Sequence, residues 1–160
     1  MKIAICPGSF DPITLGHLDI IERATELFDR VIILVMSNSA KQSAFTVEER
    51  IELIKKCIKN EKIEVDTFDG LLVDYAKKSG AAAIVKGLRA VSDFDYEFQQ
   101  ALINKSLYPK TETVFLPAKG ENMFLSSSMV KEICRLNGDI SLYVPEEITN
   151  DIYLRCKGDK

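Results

Sequence analysis

The first residues of the chain that could do chemistry lie in segment 6–17, which reads CPGSFDPITLGH. Gly8 permits close approach of the backbone to a ligand, and Ser9 beside it offers a hydroxyl. Gly16 and His17 fall where a helix would present free N–H groups and its positive dipole end to an anion. His17 can add a ring N–H or a full charge. The segment therefore favours a phosphate site, although a plain turn with a surface histidine explains it equally well.

Three further segments carry cations or hydroxyls. Lys86 and Arg89 flank a glycine at the end of an apolar run, and arginine binds phosphate in a bidentate manner. Residues 126–128 are three successive serines before a helix, and the hydroxyls that an N-cap does not need suit a phosphate. Lys41 follows another apolar run, although most lysines in such positions are simply solvated. Each segment alone is unspecific, but together they follow the ends of successive elements.

The elements that must position these residues are strands alternating with helices. Strands are predicted at 2–6, 30–36, 62–68, 82–86 and 112–116, and most are continuous apolar runs, which is typical of strands covered on both faces. The alternation predicts an α/β fold: one doubly wound, Rossmann-like domain over residues 1–160 with a five-stranded parallel sheet. Such sheets bind ligands beyond the carboxyl ends of their strands, where the strand order reverses.

Local caps and stops predict the helices between those strands. In chain order they are a helix over 16–28, one after the capping box Thr46-Val47-Glu48-Glu49, one over 71–78 ended by Gly80, one from a cap at Ser92-Asp93 to Leu107, one from a cap at Ser127 or Ser128 to Leu136 with Asn137-Gly138 as its stop, and a last one from Pro145 to near Cys156.

Composition bounds the partners and the compartment. The 160 residues carry 21 Lys plus Arg against 24 Asp plus Glu, and the net charge of −3 argues against DNA or another large polyanion as the main partner. The longest apolar run is far shorter than the ~20 residues of a membrane span, and the apolar start is too short for a secretory signal. The four cysteines lie far apart without a CxxC pair, so they are expected to be reduced thiols. A cytoplasmic protein is predicted, with neither nucleic acid nor membrane as partner.

The motifs taken together closely resemble one family. Segments 7–12 (PGSFDP), 14–17 (TLGH), 86–89 (KGLR) and 126–128 (SSS) are similar, in order, to those of bacterial phosphopantetheine adenylyltransferases of the nucleotidyltransferase superfamily. Segment 14–17 looks like the H-x-G-H signature of that superfamily with Thr in the first position. A T-x-G-H alone is a weak signal, whereas all the motifs in register are a strong one. The resemblance covers essentially the whole chain.

The resemblance implies transfer of AMP from ATP to 4′-phosphopantetheine, with Mg²⁺, in a homohexamer. Carried over by position, Ser9 and Phe10 meet both ligands, and His17 binds ATP phosphate and stabilises the transition state. Lys41 and Lys86 hold the phosphate of the acceptor, and Leu72 contacts its pantetheine arm. The ATP site implied in this way comprises Ser9, Phe10, His17, Gly87, Leu88, Arg89, Glu97, Asn122, Met123, Phe124, Leu125, Ser126, Ser127 and Ser128.

Three positions depart from the pattern of the family. Ser9 replaces a common Thr and keeps the hydroxyl. Lys86 stands where Arg is frequent, so bidentate contact with phosphate is lost. Asn122 stands where relatives often have an aromatic residue, which puts its contact in doubt.

The chemistry of this reaction needs no general base. A phosphate monoester has a second pKa of ~6 and is largely dianionic at neutral pH, so it can attack the α-phosphate directly. Mg²⁺ is expected on substrate phosphates and water rather than in a cage of protein ligands. Two alternatives remain open at this point. One is a related nucleotidyltransferase that uses nicotinamide mononucleotide or glycerol phosphate as acceptor, and the other is a nucleotide sensor without catalysis.

Overall fold

The structure is a computed structural model that describes residues 1–37 and 42–158. Its five strands form one sheet in the order β3-β2-β1-β4-β5, and every pair is parallel. This confirms the predicted α/β fold with a five-stranded parallel sheet. The strands are β1 (Ile3–Gly8), β2 (Arg30–Val35), β3 (Ile63–Thr67), β4 (Ala83–Leu88) and β5 (Glu112–Pro117).

Six helices and a short 3₁₀ helix, Gly120–Asn122, connect or follow the strands of the described chain. Within residues 1–37 and 42–158, no helix combines the length and apolarity that a membrane span requires. The helices are α1 (Leu15–Leu27), α2 (Val47–Cys57), α3 (Leu72–Ser79), α4 (Val91–Leu107), α5 (Ser127–Arg135) and α6 (Glu146–Gly158).

The predicted capping box of α2 is confirmed. The Thr46 hydroxyl accepts from the Glu49 N–H at 3.2 Å, and the Glu49 carboxylate accepts from the Thr46 N–H at 2.8 Å. Gly80 ends α3 in the left-handed conformation, with φ +67°, as its position predicted.

Two predicted caps were wrong. Helix α4 begins at Val91 with Ala90 as its N-cap and without a side-chain cap, and the Asp93 carboxylate instead accepts from the Arg89 Nε at 3.2 Å. Helix α5 is capped by Ser126, whose hydroxyl accepts from the Met129 N–H at 3.1 Å.

Strands β1 and β4 both extend two residues past their predicted ends. Gly8 pairs with Val35, and Leu88 pairs with Pro117, so parallel pairing continues through residues that resemble turn formers. The extension brings the first phosphate-type loop and segment 86–89 to the same edge of the sheet.

Helices cover both faces of the sheet, as a doubly wound fold requires. The larger core packs α1, α2, α5 and α6 against alternate strand residues such as Ala4 and Cys6. The smaller core lies on the opposite face, where Ile3 and Ile5 meet Tyr75 of α3. Because the chain winds away from β1 and β4 in opposite directions, the loops at their carboxyl ends diverge and leave a crevice.

Candidate active site

A cavity of about 370 Å³ opens at the carboxyl ends of β1 and β4. This is the point where the strand order reverses, the position at which open α/β sheets bind ligands. Twelve residues that the resemblance assigned to the site line it: Ser9, Phe10, His17, Lys86, Gly87, Arg89, Glu97, Asn122, Leu125, Ser126, Ser127 and Ser128. Its other lining residues are Cys6, Pro7, Gly8, Thr14, Gly16, Ile20, Ile21, Val85 and Ala118.

A larger groove of about 460 Å³ lies between α2 and α6. Its cations already have partners, because Lys56 pairs with Asp151 at 2.9 Å and Arg155 pairs with Glu49. The Arg155 guanidinium also stacks over the Phe45 ring, 4.8 Å from its centroid. None of the described residues that the resemblance assigned to the site lines this groove, whereas twelve of them line the smaller cavity at the edge of the sheet.

His17 is held in one orientation by the N-cap of its own helix. The Thr14 backbone N–H donates to His17 Nδ1 at 3.1 Å, and the Thr14 hydroxyl accepts from the His17 backbone N–H at 3.3 Å. The His17 ring meets the Phe10 ring edge-on, with centroids 5.1 Å apart. Since Nδ1 accepts a hydrogen bond from an amide, the neutral ring carries its proton on Nε2. His17 is thus a fixed N–H donor at the wall of the cavity.

The charge of His17 follows from its surroundings. Burial, and secondarily the Arg89 guanidinium, lower the pKa of His17 to about 4. Both effects disfavour the imidazolium. Of the two forms that the sequence allowed, the structure favours the ring N–H over the full charge.

The first loop carries a strained backbone next to the cavity. Phe10 has φ +48°, a left-handed conformation that residues other than glycine seldom adopt. Gly8 makes room for it, since a Cβ there would lie 2.9 Å from the Phe10 ring. The missing side chain of Gly8 therefore accommodates the Phe10 ring, and Gly8 itself lines the cavity.

A buried carboxylate fastens this loop to two other segments. Asp11, 5% exposed, accepts from the Ala44 N–H at 3.0 Å, the Phe45 N–H at 2.9 Å and the Lys131 ammonium at 2.6 Å. Burial raises the pKa of Asp11, but Lys131 and the two amides outweigh it, and the pKa lies below its usual value. Ser127 adds a second link between α5 and this loop by donating to the Pro12 carbonyl at 2.7 Å.

The two cations of segment 86–89 each have an acidic partner. Lys86 Nζ lies 3.2 Å from a Glu97 carboxylate oxygen, and Arg89 Nε lies 3.2 Å from Asp93. Arg89 also donates through Nη1 to the Leu125 carbonyl at 3.1 Å, which ties it to the serine-rich loop. These contacts orient both cations at the cavity before any ligand arrives.

Five predicted site residues are not among those that line the cavity. Met123 and Phe124 are more than half exposed, and Leu88 pairs with Pro117 on β5. Leu72 packs against the smaller core on the far face of the sheet. Lys41 lies outside the described residues. The roles that the resemblance assigns to these five residues stay predictions.

Three supporting residues had no predicted role. Asp11 and Lys131 lie within or beside the recognised motifs, but their 120-residue separation hides the pairing from local reasoning. Arg50 lies on α2 and is only 2% exposed, although a charged residue of an amphipathic helix is ordinarily solvated.

Comparison with known proteins first defines the class. Residues 5–133 match the family described as cytidylyltransferase-like. The fold is also similar to that of Plasmodium falciparum nicotinic acid mononucleotide adenylyltransferase complexed with NaAD, with a TM-score of 0.70 over 96% of this chain and 95% of that chain. At 16% identity this likeness concerns the fold alone.

Curated relatives narrow the class to one family. The phosphopantetheine adenylyltransferase of Alkaliphilus metalliredigens is 56% identical over 147 residues, which are 91% of this chain and 94% of the relative. That of Clostridium botulinum (strain Eklund 17B / Type B) is 54% identical over 98% of this chain and 99% of the relative. The chain belongs to the phosphopantetheine adenylyltransferase family, within the cytidylyltransferase-like proteins.

The state of His17 can be measured directly because it is the only histidine in the chain. In protein labelled with ¹⁵N-histidine, we expect one titration with a pKa of about 4 and, above it, a ring protonated at Nε2 alone. The chain unfolded in urea serves as the control and should titrate near ~6.5. Titration of the folded protein near that control value would contradict a lowered pKa for this half-buried ring.

The lowered pKa of His17 also determines how its contribution to the free energy of unfolding changes with pH. The native pKa of about 4 lies below the unfolded value of ~6.5, so the unfolded chain binds more protons between these two pH values. The contribution of His17 to stability is complete above the unfolded value and is lost as the pH falls towards the native one.

Proposed function

We propose that this protein transfers the adenylyl group of ATP to 4′-phosphopantetheine, giving dephospho-coenzyme A and pyrophosphate. The observation that carries the proposal is the cavity at the reversal of strand order, where His17, Lys86 and Arg89 converge. Membership of the phosphopantetheine adenylyltransferase family identifies the reaction that such a cavity performs.

The nucleophile is an oxygen of the acceptor phosphate. With a second pKa of ~6 the phosphate is mostly dianionic at neutral pH, so the attack on the α-phosphate of ATP needs no protein base. The site must then bring two polyanions together and stabilise the charge that develops as the bond to pyrophosphate breaks.

His17 supplies a donor to that charge without changing its protonation state. A pKa of about 4 keeps the ring neutral at physiological pH, and the Thr14 N–H keeps the proton on Nε2. The start of α1 adds the positive end of the helix dipole, although the Leu15 and His17 N–H groups already donate to the Tyr143 carbonyl and the Thr14 hydroxyl. A donor held in place before the reaction stabilises the transition state without reorganisation.

Lys86 and Arg89 reduce the repulsion between the substrates. Lys86 is a quarter exposed in its side chain and is therefore within reach of a ligand. An incoming phosphate would compete with the Glu97 carboxylate for this ammonium, and Arg89 would stay oriented by Asp93 and Leu125. The assignment of Lys86 and Lys41 to the acceptor, and of Arg89 and Glu97 to ATP, follows the resemblance.

We propose that Mg²⁺ enters the site bound to the phosphates of ATP. The described residues contain no group of three or more histidine, cysteine or carboxylate side chains that could hold a metal ion. The one carboxylate that lines the cavity, that of Glu97, already pairs with Lys86. These residues do not fit a resident metal centre. We therefore expect Mg²⁺ to bind substrate phosphates and water rather than a set of protein ligands.

The cytoplasm is the proposed location. Cys6, Cys57 and Cys156 are free thiols, and burial raises the pKa of Cys6 to about 12, so this thiol is inert. Free thiols are typical of a reducing compartment.

A homohexamer is the proposed assembly, on the number of copies that the resemblance implies. Helix α4 supports self-association, because it exposes apolar side chains along its length. Those exposed by 40% or more are Phe94, Tyr96, Phe98, Leu102, Ile103 and Leu107. Phe94 stacks on Phe98 and meets Phe115 of β5, which extends the apolar surface to the edge of the sheet. Continuous apolar surface of this kind marks interaction sites.

The acceptor is tested by measuring pyrophosphate release with ATP and three acceptors: 4′-phosphopantetheine, nicotinamide mononucleotide and glycerol phosphate. We expect release with 4′-phosphopantetheine at a rate at least tenfold above the others, because the chain belongs to the phosphopantetheine adenylyltransferase family. Faster release with nicotinamide mononucleotide would identify another adenylyltransferase. ATP binding without release from any acceptor would indicate a nucleotide sensor.

The role of His17 is tested by two substitutions. His17→Ala removes the donor and should lower kcat by ~10²-fold or more, as loss of one transition-state donor does elsewhere. His17→Gln places an amide N–H near the position of Nε2 and should retain more of kcat than the alanine variant. A rise in KM for ATP with kcat unchanged would show that His17 binds the ground state only.

The oligomeric surface is tested by analytical ultracentrifugation of two matched variants. Leu102→Glu places a charge on the exposed face of α4, where Leu102 is 56% exposed, and Leu136→Glu places one at a more exposed site beside α5, where Leu136 is 73% exposed. We expect the α4 variant to sediment as a smaller species and the control to stay with the wild type. A wild-type protein that sediments as a monomer would remove the support for a homohexamer.

A further inference from the structure

Arg50 is a buried cation that contacts the backbone of three segments. Its Nη1 donates to the Ser9 carbonyl at 2.7 Å and reaches the Met36 carbonyl at 3.4 Å, and its Nε donates to the Thr46 carbonyl at 3.2 Å. Among the described residues no carboxylate forms an ion pair with it. Its side chain is 2% exposed, so the charge is held by carbonyl dipoles.

Packing alone does not account for such a residue. Removal of a guanidinium from water is costly, and an apolar side chain of similar volume would fill the space between α2 and the sheet at lower cost. The carbonyls that Arg50 holds belong to the loop after β1, the residue after β2 and the N-cap of α2. Arg50 therefore joins segments that meet at the carboxyl edge of the sheet.

The contact with Ser9 determines where the next amide points. The Ser9–Phe10 peptide is trans, since the structure has its cis bond at Asp11-Pro12. In a planar trans peptide the N–H points opposite to the C=O. Because the Ser9 carbonyl points at Arg50, the Phe10 N–H points away from Arg50. Phe10 lines the cavity whereas Arg50 does not, and the Phe10 N–H donates to none of the described residues.

The left-handed φ of Phe10 makes this orientation costly to hold. A φ of +48° at a bulky residue is strained, and such strain persists only when the surroundings over-determine it. The Arg50 guanidinium helps to hold this conformation through its hydrogen bond to the Ser9 carbonyl. Concave sites formed by backbone amides bind phosphate, and the Phe10 N–H, which has no acceptor among the described residues, is a candidate donor for such a site.

We propose that Arg50 is a positioning residue for adenylyl transfer, which holds the Ser9 carbonyl so that the Phe10 N–H meets a phosphate in the cavity. Its fixed charge also favours the anion from behind the loop. The inference rests on the proposed function for the identity of the phosphate ligand, but its geometry concerns any phosphate bound there.

The test compares Arg50→Met and Arg50→Lys with a matched control, Thr111→Val. Thr111 is likewise buried, 4% exposed, and its hydroxyl donates to the Ala81 carbonyl at 2.9 Å, but it lies at the amino edge of the sheet. Inorganic pyrophosphate is titrated into each protein by calorimetry, and the rate of adenylyl transfer is measured well below the unfolding transition of each variant.

We expect Arg50→Met to weaken pyrophosphate binding about tenfold and to lower kcat/KM by a similar factor or more. The reason is that a donor pointing in the wrong direction forfeits part of the transition-state stabilisation that is lost when the donor is removed. Arg50→Lys keeps the charge but not the planar fork, so its values should fall between those of the wild type and Arg50→Met. Thr111→Val should lower the unfolding temperature and leave binding and kinetics unchanged.

The result that overturns the proposal is a folded Arg50→Lys with the binding and kcat/KM of the wild type. If Arg50→Met does not fold by circular dichroism, Arg50→Lys alone decides. A second readout is the ¹⁵N–¹H signal of the Phe10 amide, which should shift with pyrophosphate in the wild type and less in Arg50→Lys. A wild type that binds pyrophosphate but transfers no adenylyl group would contradict the proposed function and leave the Arg50 comparison intact.

Discussion

The reversal of winding between β1 and β4 is the constraint on which the site depends. Parallel strands need crossovers of one hand, so a chain that adds β2 and β3 on one side of β1 must return to add β4 and β5 on the other. The helices then lie on opposite faces, and the loops after the two central strands diverge. The crevice is a result of topology, and the residues in it need only suit an anion.

A crevice formed by loops lacks the hydrogen bonds between strands that hold a sheet together. Here buried charged side chains hold the loops in place instead. The Asp11 carboxylate collects two amides and Lys131, while the Arg50 guanidinium collects carbonyls from the facing segments. An anion thus holds N–H groups and a cation holds C=O groups on the two sides of the same loop. Both are satisfied, which is the condition under which buried charges stabilise a structure.

Local signals predicted most of the fold, and long-range contacts account for the errors. The Thr46–Glu49 box and the Gly80 stop depend on residues a few positions apart, so the sequence contains them in full. The cap of α5 moved to Ser126, and the Ser127 hydroxyl instead reaches Pro12 across 115 residues. A local sequence pattern cannot show which of three adjacent serines will bind a partner 115 residues away.

The functional site shows the same contrast between residues that local patterns predict and contacts that form only across long stretches of chain. His17, Lys86 and Arg89 could be predicted to lie together, because each follows a strand end or lies at the start of a helix and the strand ends meet at one edge of the sheet. All three line one cavity in the structure. The Arg50 contacts could not be predicted, because a charged residue on an amphipathic helix is ordinarily solvated. Its burial follows from the carbonyls that two other loops direct at it, and these are known only once the chain has folded.

Charge pairing reconciles an acidic chain with an anion-binding cavity. The net charge is −3, yet acids stand beside the cations in and around the site: Glu97 by Lys86, Asp93 by Arg89 and Asp19 by Lys119. A side chain already ordered by a carboxylate loses less conformational entropy when phosphate arrives. The partner also neutralises the cation while the cavity holds no anion. An arriving phosphate must then displace or share these partly buried acidic partners, so the acids keep the basic residues oriented until the ligand arrives.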